Sequence, residues 1–336
     1  DLAHEIAEMG LMEYGKPFGT QRFLKRAPKH TQEIWEREEI APRAIDREVS
    51  CSLHMTHMGC SSLPEALIRQ SFRSGLSDGW GGSMMGTEFS DVLFGTPKPI
   101  DTEANLGVME VENVNIVVHG HDPSLSEMIC EYADDPEMIA YAKSKGAKGI
   151  TVSGVCCTSN EVAMRRGIPM AGNFLQQENV VLTGACEAIV VDVQCIFPAL
   201  GPLSKCFHTK FITTSPIAQM PDSEFIRFNA ETAGENAKAI VKAAIDNFEN
   251  RKPDLVYIPD MKQKATVGYS VEAIVKVLDG VTNSQVDETG TTKPLVECIT
   301  SGVIRGAVAM VGCNNPKIRP DTAHIELMKK MIANDI

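Results

Sequence analysis

Apolar positions along the chain change rhythm near residue 100. Before it they recur at helical spacing. Leu2, Ile6, Met9, Leu11 and Met12 approximate one stripe, and Leu63 with Leu67 and Ile68 with Phe72 form i, i+4 pairs behind Pro64-Glu65, a suitable first turn. Gly75, Gly79, Gly81, Gly82, Gly86 and Gly95 punctuate the next segment, predicting a loop-rich stretch, and Gly95-Thr96-Pro97-Lys98-Pro99 predicts a stop. Residues 1–103 are thus expected to form a mainly helical region. From residue 104 onward, apolar runs of strand length alternate with helical stretches. The runs are Val114–Val118, Gly149–Val152, Ala188–Val193, Lys210–Thr214 and Ala307–Val311; the helices are Leu125–Lys145, Glu161–Arg166 and Glu231–Asn250. Continuous apolar strands separated by helices predict a parallel sheet covered on both faces. The expected class is α/β: a Rossmann-like, doubly wound domain over 104–297, with 298–336 opening a second, truncated one. No internal repeat is evident.

Chemistry-bearing residues fall at the ends of those runs. Val114–Val118 leads into His119-Gly120-His121, followed by Asp122-Pro123, an N-cap residue and a first-turn proline. Gly149–Val155 leads into Cys156-Cys157 and then Thr158-Ser159-Asn160-Glu161, a capping-box pattern. Ala188–Gln194 ends at Cys195, and Ala307–Gly312 ends at Cys313. The C-terminal edge of an open α/β sheet is where ligands bind. A single cysteine there is more often a small buried residue, and a lone His-Gly-His is more often a turn. Four such placements in one region raise a shared site, for which thiolates with an imidazole suit zinc or an iron–sulfur centre and suit magnesium poorly. Cys51, Cys60, Cys130, Cys186, Cys206 and Cys298 read as ordinary residues, with Cys130 and Cys186 in core-like stretches.

Composition narrows the function. The 336 residues, 43% hydrophobic and 23% charged, suit a globular chain of two domains or one large one. Acids outnumber bases 44 to 32, for a net charge of −12, which argues against a nucleic-acid partner. No apolar run approaches the roughly 18 residues of a membrane span. Ten cysteines, about 3% of the chain, fall far short of a disulfide scaffold, and no C-x-x-C occurs. The opening Asp1-Leu2-Ala3-His4 carries no export leader, so a cytoplasmic location with reduced thiols is expected. The absent initiator Met suggests an internal piece of a longer protein. Gly79-Trp80-Gly81-Gly82-Ser83 matches neither phosphate-binding fingerprint, and no G-x-S-x-G or H-E-x-x-H occurs. His54 and His57 could share a helix face but read as solvated, as does Glu36–Glu39.

Seven blocks, in order, carry a specific resemblance. They are Thr56–Gly59, Ser77–Met84, Phe94–Pro97, Val118–His121, Cys156–Glu161, Asp192–Cys195 and Gly312–Asn315. Together they resemble the anaerobic nickel–iron carbon monoxide dehydrogenases, of the hybrid-cluster/CO-dehydrogenase fold type. The resemblance implies a helical domain, Rossmann-like α/β domains and a nickel–iron–sulfur cluster (Ni-4Fe-4S type) between them. It implies that His121 and Cys157 bind the pendant iron and that Cys195 and Cys313 bind cubane irons. No catalytic residue beyond these metal ligands is implied within the segment. The implied reaction is CO + H2O to CO2 with two protons and two electrons, in either direction. The implied partners are ferredoxin, acetyl-CoA synthase and a second copy in a homodimer. Further [4Fe–4S] clusters and the remaining cluster ligands are expected outside residues 1–336, which alone are expected to hold no stoichiometric nickel. Two other readings remain: a hybrid-cluster protein of the hydroxylamine-reducing kind, and a non-enzymatic scaffold with a degenerate metal site.

Overall fold

In the computed structural model, residues 6–7, 20–280, 291–308, 310 and 312–335 are described. The chain divides into two units, Asp1–Thr96 and Pro97–Ile336. In the first, four helices are described: α1 (Lys29–Arg37), α2 (Ile45–Met55), α3 (Pro64–Ser77) and α4 (Ser83–Phe94). Its buried apolar residues include Phe23, Leu24, Ala27 and Ala44. Fully buried Glu48 is matched by the Arg43 guanidinium at 3.0 Å and the Gln70 amide at 2.9 Å.

The stretch expected to be loop-rich is helical instead. A single π-helical turn, Asp78–Gly82, joins α3 to α4. Helical glycine costs only about 1 kcal/mol relative to Ala, and here one glycine serves packing. A Cβ at Gly81 would lie 1.7 Å from the Gln21 amide nitrogen, so the close approach of that side chain requires glycine. Leu2, Met9, Leu11 and Met12 of the expected first stripe lie outside the described residues.

The second unit is built on an eight-stranded sheet of order β7-β6-β5-β2-β3-β4-β1-β8. The strands are β1 (Ile100–Ala104), β2 (Val114–His119), β3 (Ile150–Val155), β4 (Met170–Gly172), β5 (Cys186–Val191), β6 (Lys210–Thr213), β7 (Glu224–Phe225) and β8 (Gln263–Val267). All pairs are parallel except β1 with β8. The chain runs outward from β2 through β3 to β4, then crosses back to lay β5 on the other side of β2. That reversal makes a topological switch point at β2, between β3 and β5.

Strand alternation feeds two cores. Val114, Ile116 and Val118 pack with Leu125 and Ile129 of α5 (Pro123–Ala133) and with Ile240, Val241 and Ile245 of α10 (Ala233–Asn247). Val117, Ile189 and Val191 pack on the opposite face with Val180 and Val181 of α8 (Gln177–Leu182) and Leu200 of α9 (Leu200–Cys206). Burial on both faces is why these strands read as unbroken apolar runs.

Three expectations are corrected. The helix expected over Leu125–Lys145 is two: after α5 the chain restarts as α6 (Pro136–Ser144), because Asp135 caps the Glu137 amide at 2.8 Å and Pro136 takes the first turn. The helix expected at Glu161–Arg166 begins five residues earlier, as α7 (Cys156–Arg166). The strand expected over Ala307–Val311 is not formed at its described residues, since Ala307, Val308 and Met310 have no regular structure. No described strand lies alongside to satisfy its backbone groups, and Val308 is exposed. The remaining helices are α11 (Val271–Gly280), α12 (Lys293–Thr300) and α13 (Thr322–Ile332).

Candidate metal centre

Three parallel strands, β3, β2 and β5, end at the switch point, and each delivers a metal-type donor. The β2 strand runs into His119-Gly120-His121. Gly120 has φ +126°, and a Cβ there would fall 1.9 Å from Asp192 Oδ1. Asp192, just past β5, reaches under this turn. Its Oδ1 accepts from the His121 amide at 2.6 Å and from the Val193 amide, and its Oδ2 accepts from the Asp122 amide at 2.8 Å. Burial pushes the Asp192 carboxyl above its ordinary range, against the pull of those three donors. Asp122 in turn caps α5 through the Ser124 amide.

The His121 ring is oriented by the same loop. Its Nδ1 lies 2.9 Å from the Val193 carbonyl oxygen. A carbonyl only accepts, so Nδ1 carries the proton and Nε2 is left bare to bind a metal.

Cysteine donors sit on strained backbone. The β3 strand turns into α7 at Cys156, which has φ +70°. The turn is tight enough that a Cβ at Gly154 would come within 2.4 Å of Ser159 Oγ. After β5, Gln194 and Cys195 are consecutively left-handed, at φ +65° and +61°. Non-glycine residues in that region cost on the order of 1–2 kcal/mol each and persist where surroundings over-determine them.

The donor atoms of His121, Cys156 and Cys195 all lie within 4.8 Å of one another. Of the sequence-derived candidates, His121 and Cys195 are in this group, and the sulfur beside them is that of Cys156. Cys157 is its chain neighbour, within electrostatic reach of Cys195 and Cys313. Cys313 is exposed, on a segment without regular structure. Burial pushes the Cys156 thiol up to about 12 against the pull of the Cys157 backbone N–H, with the neighbouring Cys195 adding to the rise, and burial likewise raises Cys157. Thiolates here thus need a cation to compensate them, and a set of imidazole and thiolate donors fits a soft metal or an iron–sulfur cluster.

Around the donors lie residues to which the sequence patterns assign no role. Asp192, Val193 and His119 fall inside quoted blocks as neighbours of the ligand candidates, and Gln177, at the start of α8, falls in none. His119 is buried, its Nε2 is 3.1 Å from Gln177 Oε1, and burial holds its pKa down at about 4. All ten cysteines are free thiols, Cys130 and Cys186 being buried as expected. No helix among the described residues is long and apolar enough to cross a membrane.

These features define an α/β chain with a candidate soft-metal centre at a sheet switch point. The model of the Prismane/CO dehydrogenase family matches residues 1–336, and the chain belongs to that family. It is 49% identical over 336 residues to carbon monoxide dehydrogenase 1 of Methanosarcina acetivorans, covering 100% of this chain and 52% of that one. It is 37% identical over 341 residues to the carbon monoxide dehydrogenase/acetyl-CoA synthase subunit beta of Moorella thermoacetica, covering 100% of this chain and 49% of that one. A Ni-free crystal structure of carbon monoxide dehydrogenase from Thermococcus sp. AM4 superposes with TM-score 0.87 at 50% identity, over 99% of this chain and 51% of that one. The chain spans about half the length of these relatives.

Proposed function

We propose that this chain carries part of the active centre of an anaerobic carbon monoxide dehydrogenase, within a longer subunit that interconverts CO and water with CO2. The observation that carries the reading is the convergence of His121, Cys156 and Cys195 within 4.8 Å at the C-terminal ends of adjacent parallel strands. The group they would help hold is a Ni-4Fe-4S-type cluster, which when bound supplies Lewis acidity, a nucleophile at neutral pH and an electron sink.

The chain's own residues prepare that site. His121 offers Nε2 because the Val193 carbonyl holds the Nδ1 proton. Asp192 fixes the turn that aims the ring. The cysteine thiols, pushed up by burial, release their protons as metal binds. His121 with Cys157 for one iron, and Cys195 with Cys313 for the cubane, is the assignment the family resemblance supports, while the proximity of Cys156 makes it the competing thiolate. Electrons would pass to [4Fe–4S] clusters elsewhere in the subunit and then to a ferredoxin-type acceptor. A homodimer, a cytoplasmic location and an acetyl-CoA synthase partner complete the proposal; the last is supported by the name of the Moorella relative.

Metal content of the anaerobically purified full-length subunit tests the reading. Nickel, iron and CO-dependent viologen reduction are expected together. The family also takes in prismane-type proteins, and iron without nickel would favour that hydroxylamine-reducing alternative. In the same subunit, Cys157→Ala should lose iron and Cys156→Ala should keep it. The reverse pattern transfers the ligand role to Cys156, and full iron in both variants overturns the site.

A further inference from the structure

Gln177 has a fully buried side chain in which every hydrogen-bonding direction is used. Its Nε2 donates to the Phe174 carbonyl at 2.5 Å and to the Cys195 carbonyl at 2.9 Å. Its Oε1 accepts from the Phe197 amide at 2.8 Å and faces His119 Nε2 at 3.1 Å. Two carbonyls on one end and an amide N–H on the other leave a single orientation for the side-chain amide. His119 Nε2 must then be the protonated nitrogen, donating to Oε1. Its buried Nδ1 has no hydrogen-bond partner among the described residues.

Two of these four bonds bracket the Cys195 segment. One fixes the carbonyl of Cys195 itself and the other the amide two residues on. Between Asp192, which accepts from the Val193 amide, and Gln177, the backbone of residues 193–197 is held at both ends. Inside it lie the two consecutive left-handed residues, Gln194 and Cys195. Left-handed non-glycine backbone relaxes unless it is clamped. Phe197 is also set edge-on against Phe174, with ring centroids 6.0 Å apart, so the strand-to-helix loop closes over the amide.

We propose that Gln177 is a positioning residue for the metal centre: its amide clamps the left-handed Cys195 backbone and, through His119, ties it to the end of β2 that carries His121. The separation of the two ligand-bearing loops is then set by α8, an element that donates no ligand. The inference rests on Cys195 being a cluster ligand.

The test uses the full-length subunit, isolated anaerobically, with four substitutions. Gln177→Met removes all four bonds at similar volume, and Gln177→Glu keeps the acceptor while losing both donors. Asn247→Leu is the control, since that buried amide likewise bridges two carbonyls, those of Glu187 and His208, at the opposite edge of the sheet. Cys195→Ala tests the underlying ligand assignment. Iron and nickel per subunit, the low-temperature electron paramagnetic resonance spectrum of the reduced protein and the thermal midpoint are recorded for each. Both Gln177 variants should shift the g values and lose on the order of 10–100-fold in metal affinity or activity, as removal of outer-sphere partners does. Asn247→Leu should lower the thermal midpoint and leave the spectrum unchanged. A wild-type spectrum and metal content in Gln177→Met or Gln177→Glu overturns the proposal, and so does the same spectral shift in Asn247→Leu. If Cys195→Ala keeps full metal and an unshifted spectrum, the ligand assignment has failed, an outcome distinct from failure of the clamp.

Discussion

Replacing Gly120 by alanine strikes the centre through one added methyl group. The new Cβ would sit 1.9 Å from Asp192 Oδ1, 2.5 Å from its Cγ and 2.8 Å from Oδ2. The carboxylate must therefore retreat by about 1.5 Å to reach ordinary van der Waals contact. Its bonds to the His121 and Asp122 amides, now 2.6 and 2.8 Å, would stretch beyond hydrogen-bond range, and that to Val193 with them. Each buried amide left unpaired costs about 1–3 kcal/mol. Alanine at φ +126° adds about 1–3 kcal/mol of backbone strain. The sum is about 4–12 kcal/mol if all three bonds are lost, and less if the loop relaxes, against a typical total of about 5–15 kcal/mol. Urea midpoint and iron retention in the full-length subunit should both fall in Gly120→Ala. A double-mutant cycle separates the clash from general damage. Asp192→Ala should cost less in the Gly120→Ala background than alone, by about 1–3 kcal/mol, because the bonds it removes are already broken. An unchanged midpoint and iron content in Gly120→Ala, or strict additivity in the cycle, would refute the clip between the two loops.

Two further predictions concern parts away from the centre. Burial alone would raise the Glu48 carboxyl, but Arg43 and Gln70 outweigh it and hold the pKa below its ordinary 4.5. The stability this contributes is present above the unfolded-state value and lost as pH falls through the lower folded one, so the acid limb of a pH–stability curve should flatten in Glu48→Gln; a wild-type limb in that variant would exclude the assignment. At the N-terminal edge of the sheet, Arg251 holds fully buried Glu187 through Nε and Nη2, each at 2.7 Å. Arg251→Met leaves that carboxylate the Asn115 amide at 2.6 Å and His208 at 2.8 Å but no guanidinium, and should cost up to about 3–5 kcal/mol in denaturant unfolding, with iron retention in the folded fraction unchanged; loss of iron from that folded fraction would show that the two sheet edges are coupled.

Legibility from the sequence followed burial. The strands β2, β3, β5 and β6 are covered on both faces or nearly so, and their apolar runs announced them. Ile100–Ala104 and Gln263–Val267 pair with each other, yet they read Ile-Asp-Thr-Glu-Ala and Gln-Lys-Ala-Thr-Val, with polar residues in a half-exposed ladder. No periodicity argument finds such strands, because their pairing partner lies more than 150 residues away. Ala307–Val311 shows the converse error. An apolar run is evidence for a strand only if another strand lies beside it, and among the described residues none does. The six glycines of residues 75–95 misled for an energetic reason. A penalty of about 1 kcal/mol each is smaller than what tertiary packing, such as Gln21 over Gly81, can return.

At the centre, pattern could reach the edge of the sheet but not the atoms. Hydrophobic runs ending in His or Cys predict four donors on the C-terminal edge, since every parallel strand carries its end to the same side, and the sheet carries His121, the Cys156-Cys157 pair and Cys195 there while Cys313 lies on a segment without regular structure. Which donors meet is decided by which strands are neighbours, and the order β5-β2-β3 is a property of two crossovers that no local window encodes. That order brings residues 119–121, 156 and 195 together although they are spread over more than 70 positions. The choice between adjacent Cys156 and Cys157 is finer still. Cys156 takes φ +70° where β3 turns into α7, beside the close approach of Ser159 to Gly154. Cys156 and Cys157 are identical in composition, in hydropathy and in chemistry, so only the backbone distinguishes them. For the same reason Asp192 has no assigned role within its block and Gln177 lies in no motif. All the bonds that Asp192 makes at the turn, and three of the four at Gln177, go to main-chain atoms, and main-chain atoms are the same at every position in the sequence.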